Sequence, residues 1–321
     1  MRRNLVFLGA FLALAAQAVA SDWGMGDANS RIAPPSMLRP VSTPAHEIST
    51  LAIFVLGVTT AIFVIVSGLL TYRVIRFRSR RPDDGSEPPQ IYGSGPVEFA
   101  WTAVPVLIVF VLILVTARSI YSVQAVRRPP HALAVRVVGP RDPTPTFLEL
   151  ESADVAHSFW VPRLAGKTDL IPNHPNSMWI DPRETGLYLG QCAQYCGTQH
   201  AKMLLRVYVD SREDFDRWIE AQRRPARADA AVARGRQVFE TTACVNCHAV
   251  GGTNANGRFG PDLSHFMSRD TLAAGAAPNT PENLRLWLRN PGAIKPGSLM
   301  PAMQLSDEDV NAVADYLESL R

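Results

Sequence analysis

Cysteine is scarce in this chain: four residues among 321, which leaves room for two cysteine pairs and no more. Net charge is also slight, at +3, and no Lys/Arg block is interleaved with aromatics, so a nucleic-acid partner is excluded. Neither an internal repeat nor a low-complexity tract occurs, so a repeat array is not expected. Charge is missing altogether from two long stretches: Ile48 to Tyr72 holds none over 25 residues, and Phe99 to Ala117 none over 19. Roughly 20 apolar residues cross the hydrocarbon core of a bilayer. Both stretches are therefore long enough to span one, and the rest of the chain reads as soluble protein.

The opening "MRRNLVFLGAFLALAAQAVA" sets two arginines before a short apolar run and ends on Ala18-Val19-Ala20. This is the layout of a secretory signal peptide, residues 1–20. The rival, a first membrane anchor, is disfavoured because the run is short for a span. No cysteine follows Ala20, so lipid attachment there is not expected. Between the two spans lie Arg73, Arg76, Arg78, Arg80 and Arg81, and a short loop so rich in arginine should stay cytoplasmic. The expected layout is a periplasmic lead at 21–45, spans at 46–72 and 97–121, and a cytoplasmic loop at 73–96. Everything after the second span then lies on the periplasmic face of a bacterial plasma membrane.

Beyond the second span the pattern alternates. "HALAVRVV", "TFLELES", "NSMWID", "GLYLGQ" and "MLLRVYVD" read as strands separated by Pro, Gly, Asn and Asp. Together they predict a β-sandwich or Greek-key barrel at 122–220, the region ending near Ile219. "AQRRPARADAA" reads as a polar linker at 221–230, and residues 231–321 as a small all-helical domain. There Thr280 is the expected N-cap, with Pro281 at the first helical position. Ser306 and Asp309 open the last helix as a capping box, and Val310, Val313, Leu317 and Leu320 form its apolar face.

Cys244 to His248 reads C-x-x-C-H, the attachment signature of a c-type haem. Two thiols one helical turn apart form thioethers with the porphyrin, and the adjacent His248 reaches the iron. A thioredoxin-like redox pair would sit at a strand-to-helix junction in a βαβ setting, and no such pattern surrounds it. A methionine as sixth ligand favours electron transfer, and "KPGSLMPAM" offers Met300 and Met303. That segment resembles the Met-Pro loop of class I cytochromes c, which implies Met300 as the iron ligand and leaves Met303 to core packing or a loop contact. "RFGPDLSHF" resembles the loop of that family whose proline carbonyl accepts the proximal imidazole N–H, which implies that role for Pro261. His265 then reads as a surface or packed residue, and Trp287 as helix-face core.

The second cysteine pair lies in "GQCAQYCGTQHAKM", Gly190 to Met203. In an exported protein Cys192 and Cys196 could form a disulfide, although so short a loop is awkward to bridge. Zinc requires four ligands in closed tetrahedral geometry, usually with closer cysteine spacing. Copper takes thiolate, imidazole and a weak axial thioether on a β scaffold, and Cys196, His200 and Met203 supply that set between two strands. The extra thiolate of Cys192 lets two coppers share two sulfurs, provided a second imidazole arrives from elsewhere.

"SADVAHSFWVPRLAGKTDLIPN", "GLYLGQCAQYCGTQHAKMLLRV" and the earlier "VEFAWTAVPVLIV" resemble subunit II of haem–copper cytochrome c oxidases, over roughly Pro44 to Ile219. The C-x-x-C-H domain makes the chain similar to the subset that carries its own haem c. The resemblance implies a multidomain fold: a two-helix transmembrane hairpin, a cupredoxin-like β-barrel, then an all-α class I cytochrome c domain. It implies covalent haem c on Cys244 and Cys247, and a dinuclear copper centre of the CuA type. In that centre Cys192 and Cys196 bridge, His157 and His200 each bind one copper, and Met203 and the Gln194 carbonyl are weak ligands. His157 is preferred to His131 and His174 for its "HSFWVP" setting, and Phe159 and Trp160 pack around the site.

The implied role is the electron-accepting subunit of a respiratory oxidase. Electrons pass from cytochrome c or another reduced donor through haem c and CuA to subunit I, which reduces O2 to water with proton pumping. Other oxidase subunits are further expected partners. The chain has no third histidine-rich site, so oxygen chemistry falls to the partner. Rival roles are the corresponding subunit of a CuA-containing nitric oxide reductase, and a membrane-anchored carrier with no catalytic partner. Glu98 either favours a helix N-terminus or, as the resemblance implies, marks the entrance of a proton path into subunit I.

Three features depart from the family. Gln194 stands where glutamate is usual, which keeps the carbonyl but removes a carboxylate associated with a magnesium site. "VVGPRDPTPTFLELES" is short and lacks the tryptophan-rich strand pair that receives electrons from soluble cytochrome c. Electron intake is therefore expected to have moved to the tethered haem, which a tether holds near copper at an effective millimolar concentration. "PNHPN" replaces a "PG" turn and a nearby arginine is missing, so contacts to the catalytic subunit differ there.

Overall fold

The structure, a computed structural model, describes residues 32–33, 36–78, 93–124, 138–140, 145–226 and 230–321. The expected signal peptide, Arg80, Arg81, His131, most of the strand in "HALAVRVV" and the middle of the linker lie outside the described residues.

Two apolar helices come first, α1 (Thr43–Arg76) and α2 (Gly95–Gln124). Their apolar windows are exposed on every side, an arrangement stable in lipid and unstable in water. Pro44 opens α1, where its missing N–H is one the helix leaves unpaired anyway. The cap comes from afar: Thr43 N donates to Asp181 Oδ1 at 2.6 Å, and the Thr43 hydroxyl donates to Asp181 Oδ2. Val41 N donates to Arg163 O and Arg183 N to Val41 O, both at 2.9 Å. At the other end, Trp179 Nε1 donates to Val123 O of α2 at 2.7 Å. Both helices are thus tied to the sheet region that follows.

That region is built from two facing sheets. β1 (Ile32–Ala33), β2 (Val138–Pro140), β4 (His157–Trp160), β5 (Thr168–Leu170), β7 (Gly186–Cys192) and β8 (Leu204–Asp210) form one sheet in the order β2-β8-β7-β4-β5. β1 shares an edge of β7 with β4, pairing at Leu187 and Tyr188 while β4 pairs at Gln191 and Cys192. β3 (Thr146–Leu150) and β6 (Asn176–Ile180) form a separate antiparallel pair, with Leu148 opposite Met178. Leu148, Leu150 and Ile180 pack against Val161, Tyr188, Val207 and Val209 to make the core between the sheets.

The domain is cupredoxin-like, but among the described residues the expected barrel is not closed: the two sheets are joined by an isolated bridge, Ser152 to Pro172, and by Asn176 Nδ2 of β6, which donates to Asp169 O of β5 at 2.7 Å. Pro145 before β3, and Pro175 and Pro182 around β6, supply no N–H with which to extend a ladder. An unexpected helix, α3 (Arg212–Arg223), follows β8 and is capped by Ser211 Oγ, which accepts from Asp214 N at 3.1 Å.

The C-terminal region is helical, with α4 (Ala233–Thr241), α5 (Cys244–Cys247), α6 (Pro281–Arg289), α7 (Pro291–Ile294) and α8 (Asp307–Ser319), plus a small hairpin of β9 (Thr271–Leu272) and β10 (Ala277–Pro278). Thr280 and Ser306 cap α6 and α8 as their sequences predict. Val310, Val313, Leu317 and Leu320 are all buried, facing Phe239 and Leu284. α4 crosses α8 closely because Gly235 has no side chain; a Cβ there would run into the Ala312 carbonyl.

Candidate functional site

Strand register builds the first site. β4 pairs with β7 so that Phe159 lies opposite Cys192, which brings His157 to the same end of the sheet. Gly190 permits the close approach, since a Cβ there would collide with the Trp160 carbonyl. The chain then leaves β7 in a loop closed by two backbone bonds, Cys192 N to Met203 O at 2.9 Å and Ala193 N to Ser158 O at 3.3 Å. A turn at Gly197 (φ 113) leads into a short 3-10 segment, His200–Lys202.

The donor atoms converge. Cys192 Sγ lies 3.8 Å from Cys196 Sγ, 4.0 Å from His157 Nδ1 and 3.1 Å from the Gln194 carbonyl oxygen. Cys196 Sγ lies 3.6 Å from His200 Nδ1 and 3.8 Å from Met203 Sδ. Ligand atoms of His157, Cys192 and Cys196 all fall within 4.8 Å of one another. The structure therefore brings together all six residues expected from sequence: His157, Cys192, Gln194, Cys196, His200 and Met203. Both cysteines are free thiols. Two sulfurs, two imidazole nitrogens, a thioether and a carbonyl make a soft, nitrogen–sulfur donor set suited to copper.

Electrostatics split the two thiols. Burial raises Cys192, but backbone hydrogen bonds at Gln194 and Ser158, and the nearby His157 and His200, outweigh it and bring the thiol down to about 6. Cys196 is raised by burial and by the hydrogen bond and charge of Cys192 beside it. A metal cation bound beside both sulfurs would remove that conflict. Burial also opposes a charged His157, yet its hydrogen bonds to Asp154 and Cys192 prevail and raise it.

Asp154 was not among the residues singled out from sequence. Its Oδ1 sits 2.9 Å from His157 Nε2, which directs Nδ1 toward the thiols. The hydrogen bond to His157 in turn holds the Asp154 carboxyl down to about 2. An acid three residues ahead of the histidine is the only signal the sequence offers for it. His174 is exposed, and the donor cluster does not include it.

The second site centres on α5. Cys244 and Cys247 are free thiols on one turn of helix, and His248 ends it. His248 Nδ1 donates to Pro261 O at 2.8 Å, leaving Nε2 available to a ligand on the far side. Residues 257–261 fold over the imidazole: Gly260 N donates to Cys247 O at 2.7 Å and Gly257 N to His248 O at 3.1 Å. A Cβ on Gly260 would stand 2.5 Å from His248 Cε1. These two glycines were also passed over in the sequence, although both fall within a few residues of the proline that was picked out.

Met300 packs against the helical core, as do Cys244 and Val245, whereas Met303 is not part of that packing among the described residues. His265 is buried, not on the surface, and its Nε2 has no hydrogen-bond partner. Trp287 packs on the core as expected. Two thiols, a fixed imidazole and a methionine suit a covalently attached haem. Glu98 lies in the first turn of α2, with its N donating to Ser94 O at 2.9 Å, far from both sites in the chain.

Three family models match. "Cytochrome C oxidase subunit II, transmembrane domain" covers residues 35–120, "Cytochrome C oxidase subunit II, periplasmic domain" covers 114–209, and "Cytochrome c" covers 232–321. The chain is 30% identical to the cytochrome c oxidase subunit 2 of Alkalihalophilus pseudofirmus strain OF4 over 312 residues, 88% of this chain and 90% of that protein. It is 29% identical to the corresponding protein of Bacillus sp. strain PS3, over 76% of this chain and 80% of that one. With that of Bacillus subtilis strain 168 it shares 28% identity, over 87% and 90%.

Proposed function

The chain belongs to the cytochrome c oxidase subunit II family, and from that premise we propose that it carries a dinuclear CuA centre and a covalent haem c as consecutive stations of one electron relay. Family membership makes it a membrane-anchored part of a haem–copper oxidase with other oxidase subunits as partners. It also implies copper in the sheet region and haem in the C-terminal region. The observation that carries the finer reading is the convergence of five side chains and one carbonyl from β4, β7 and the following loop.

In this reading Cys192 and Cys196 would hold two coppers between them, His157 and His200 would bind one each through the Nδ1 that faces the thiols, and Met203 and the Gln194 carbonyl would be weak ligands. Cys244 and Cys247 attach the haem, His248 is its proximal ligand held by Pro261, and Met300 is the sixth ligand. Shared thiolates spread one electron over two metals, and methionine ligation raises the haem potential, so both groups suit rapid one-electron transfer.

The protein's part is to hold these donors fixed. Asp154 orients His157, Pro261 orients His248, and the Cys192–Met203 backbone bond closes the copper loop. With both groups bound, the haem region would take electrons from cytochrome c or a similar donor and the copper region would hand them to the catalytic subunit, where O2 would be reduced with proton pumping. Glu98, in the first turn of α2, marks the start of a proton path into that subunit. Both folded regions face the periplasm of a bacterial plasma membrane.

The test is an oxidase assembled with a chain ending at Arg224. It should lose most turnover with reduced external cytochrome c while still accepting electrons from a small-molecule reductant. Full turnover with cytochrome c would place electron intake on the copper domain. A Glu98→Gln oxidase should turn over more slowly; an unchanged rate returns Glu98 to a helix-terminal role.

A further inference from the structure

The copper loop does not stand free: the C-terminal region grips it from outside. Leu204 N, one residue past Met203, donates to Ala274 O at 3.1 Å. Lys202 Nζ donates to Ile294 O at 2.6 Å, and the Gln199 side-chain amide donates to Gly297 O. Thr198 Cγ2 lies only 3.2 Å from where a Cβ on Gly297 would stand. A fourth bond, Tyr208 OH to Asp270 Oδ2 at 2.6 Å, extends the junction along β8. The grip falls on residues 198–204, the segment that carries His200 and Met203.

The gripping side is shaped for the purpose. The turn of the β9–β10 hairpin puts three successive residues in the left-handed region: Ala273 (φ 55), Ala274 (φ 60) and Gly275 (φ 83). Non-glycine residues occupy that region only when their surroundings hold them there. Here Ala274 is held by Leu204, and Ala273 O accepts from Lys295 Nζ at 3.3 Å, a lysine only 9% exposed. Gly275 lets the turn press on the strand, since a Cβ there would stand 2.9 Å from Leu204 Cβ. Ile294, Lys295 and Gly297 lead directly into Met300.

Met203 is therefore fixed from both sides. Its carbonyl accepts from Cys192 N inside the copper domain, and the N–H of the same peptide, on Leu204, donates to Ala274 O outside it. We propose that the haem-binding region is a structural part of the copper site: it clamps the ligand loop, and thereby sets where the His200 and Met203 donors stand. Gln199 and Lys202 are positioning residues that act through this loop and contact no metal. The inference rests on the proposed function and adds that copper properties depend on docking of the haem region as well as on the copper ligands.

The experiment uses the full chain loaded with copper and haem. Lys202→Met combined with Gln199→Ala should alter the copper electron paramagnetic resonance spectrum and speed copper loss to a chelator, with copper affinity down about tenfold, the low end of what losing an outer support of a metal site costs. Haem content and haem spectrum should not change. Lys202→Arg, which keeps a donor toward Ile294 O, should retain the native copper spectrum, and the chain ending at Arg224 should reproduce the double variant. Copper spectra and release rates matching wild type in both the double variant and the truncated chain overturn the clamp alone. A wild-type chain that takes up no copper overturns the proposed function and the clamp together.

Discussion

Asp154 Oδ1 and His157 Nε2 stand 2.9 Å apart, on the side of the ring opposite Cys192. A histidine has two nitrogens, and the partner of one decides which of them is free to bind metal. Asp154 claims Nε2, so Nδ1 points at the thiols. His157 is mostly shielded and Asp154 is largely exposed, so the pair does more for ring orientation than for stability.

Asp154→Ala should accordingly weaken copper binding about 10- to 100-fold, as removal of such partners does elsewhere, with the fold unchanged. Competition against a copper chelator, with circular dichroism as a control for folding, measures it. Unaltered affinity would mean that β4 alone sets the ring.

Gly235 is where α4 meets α8. Gly235→Ala places a methyl group against the Ala312 carbonyl and Tyr316, and overpacking of this kind costs about 1–3 kcal/mol or more. Thermal unfolding of the haem-binding region should shift down accordingly, whereas Gly292→Ala, at an exposed position in α7, should have little effect.

The chemistry was written locally and could be read locally. The spacing of Cys192, Cys196, His200 and Met203, and of Cys244, Cys247 and His248, fixes which side chains a loop or one helical turn can bring together. The uncharged runs before residue 120 exposed the two helices in the same way, and short-range caps at Thr280 and Ser306 marked helix starts. What stayed hidden depends on contacts across the chain. The grip of Ala274, Ile294 and Gly297 on residues 199–204 joins segments some 70 to 100 positions apart, and no periodicity records it. Closure of a barrel depends likewise on long-range pairing, which local alternation does not record, and among the described residues it is not seen. α3 was legible in part, since Ser211 and Asp214 form a cap, but the sequence pattern puts residues 212–220 with the strands and its last residues, 221–223, with the linker.

Met300 and Met303 can be separated directly. Met300→Ala should lower the haem reduction potential and open the iron to added ligands such as cyanide. Met303→Ala should do neither. Spectroelectrochemical titration of the two variants distinguishes them, and the opposite outcome would exchange their roles.

Tyr208 links the two regions through Asp270, and its alkaline behaviour reports on that contact. Burial, then the hydrogen bond and charge of Asp270, push the phenol up to about 12, with Arg206 pulling the other way. The raised value means the folded state favours the neutral phenol. Its contribution to docking is present below about pH 10 and is lost as the pH rises toward 12. A spectrophotometric titration compared with Tyr208→Phe should show one phenol ionising near 12, and Asp270→Asn should move that step down toward the ordinary value. A step that Asp270→Asn leaves in place would attribute the shift to burial alone.

The most direct test of the whole account is the metal and haem content of the purified full-length chain. Two coppers and one covalently attached haem per polypeptide are predicted, with the copper lost in Cys192→Ser and the covalent haem lost in Cys244→Ser. A single zinc at the Cys192–Cys196 loop, or a disulfide there with no copper taken up, would contradict it.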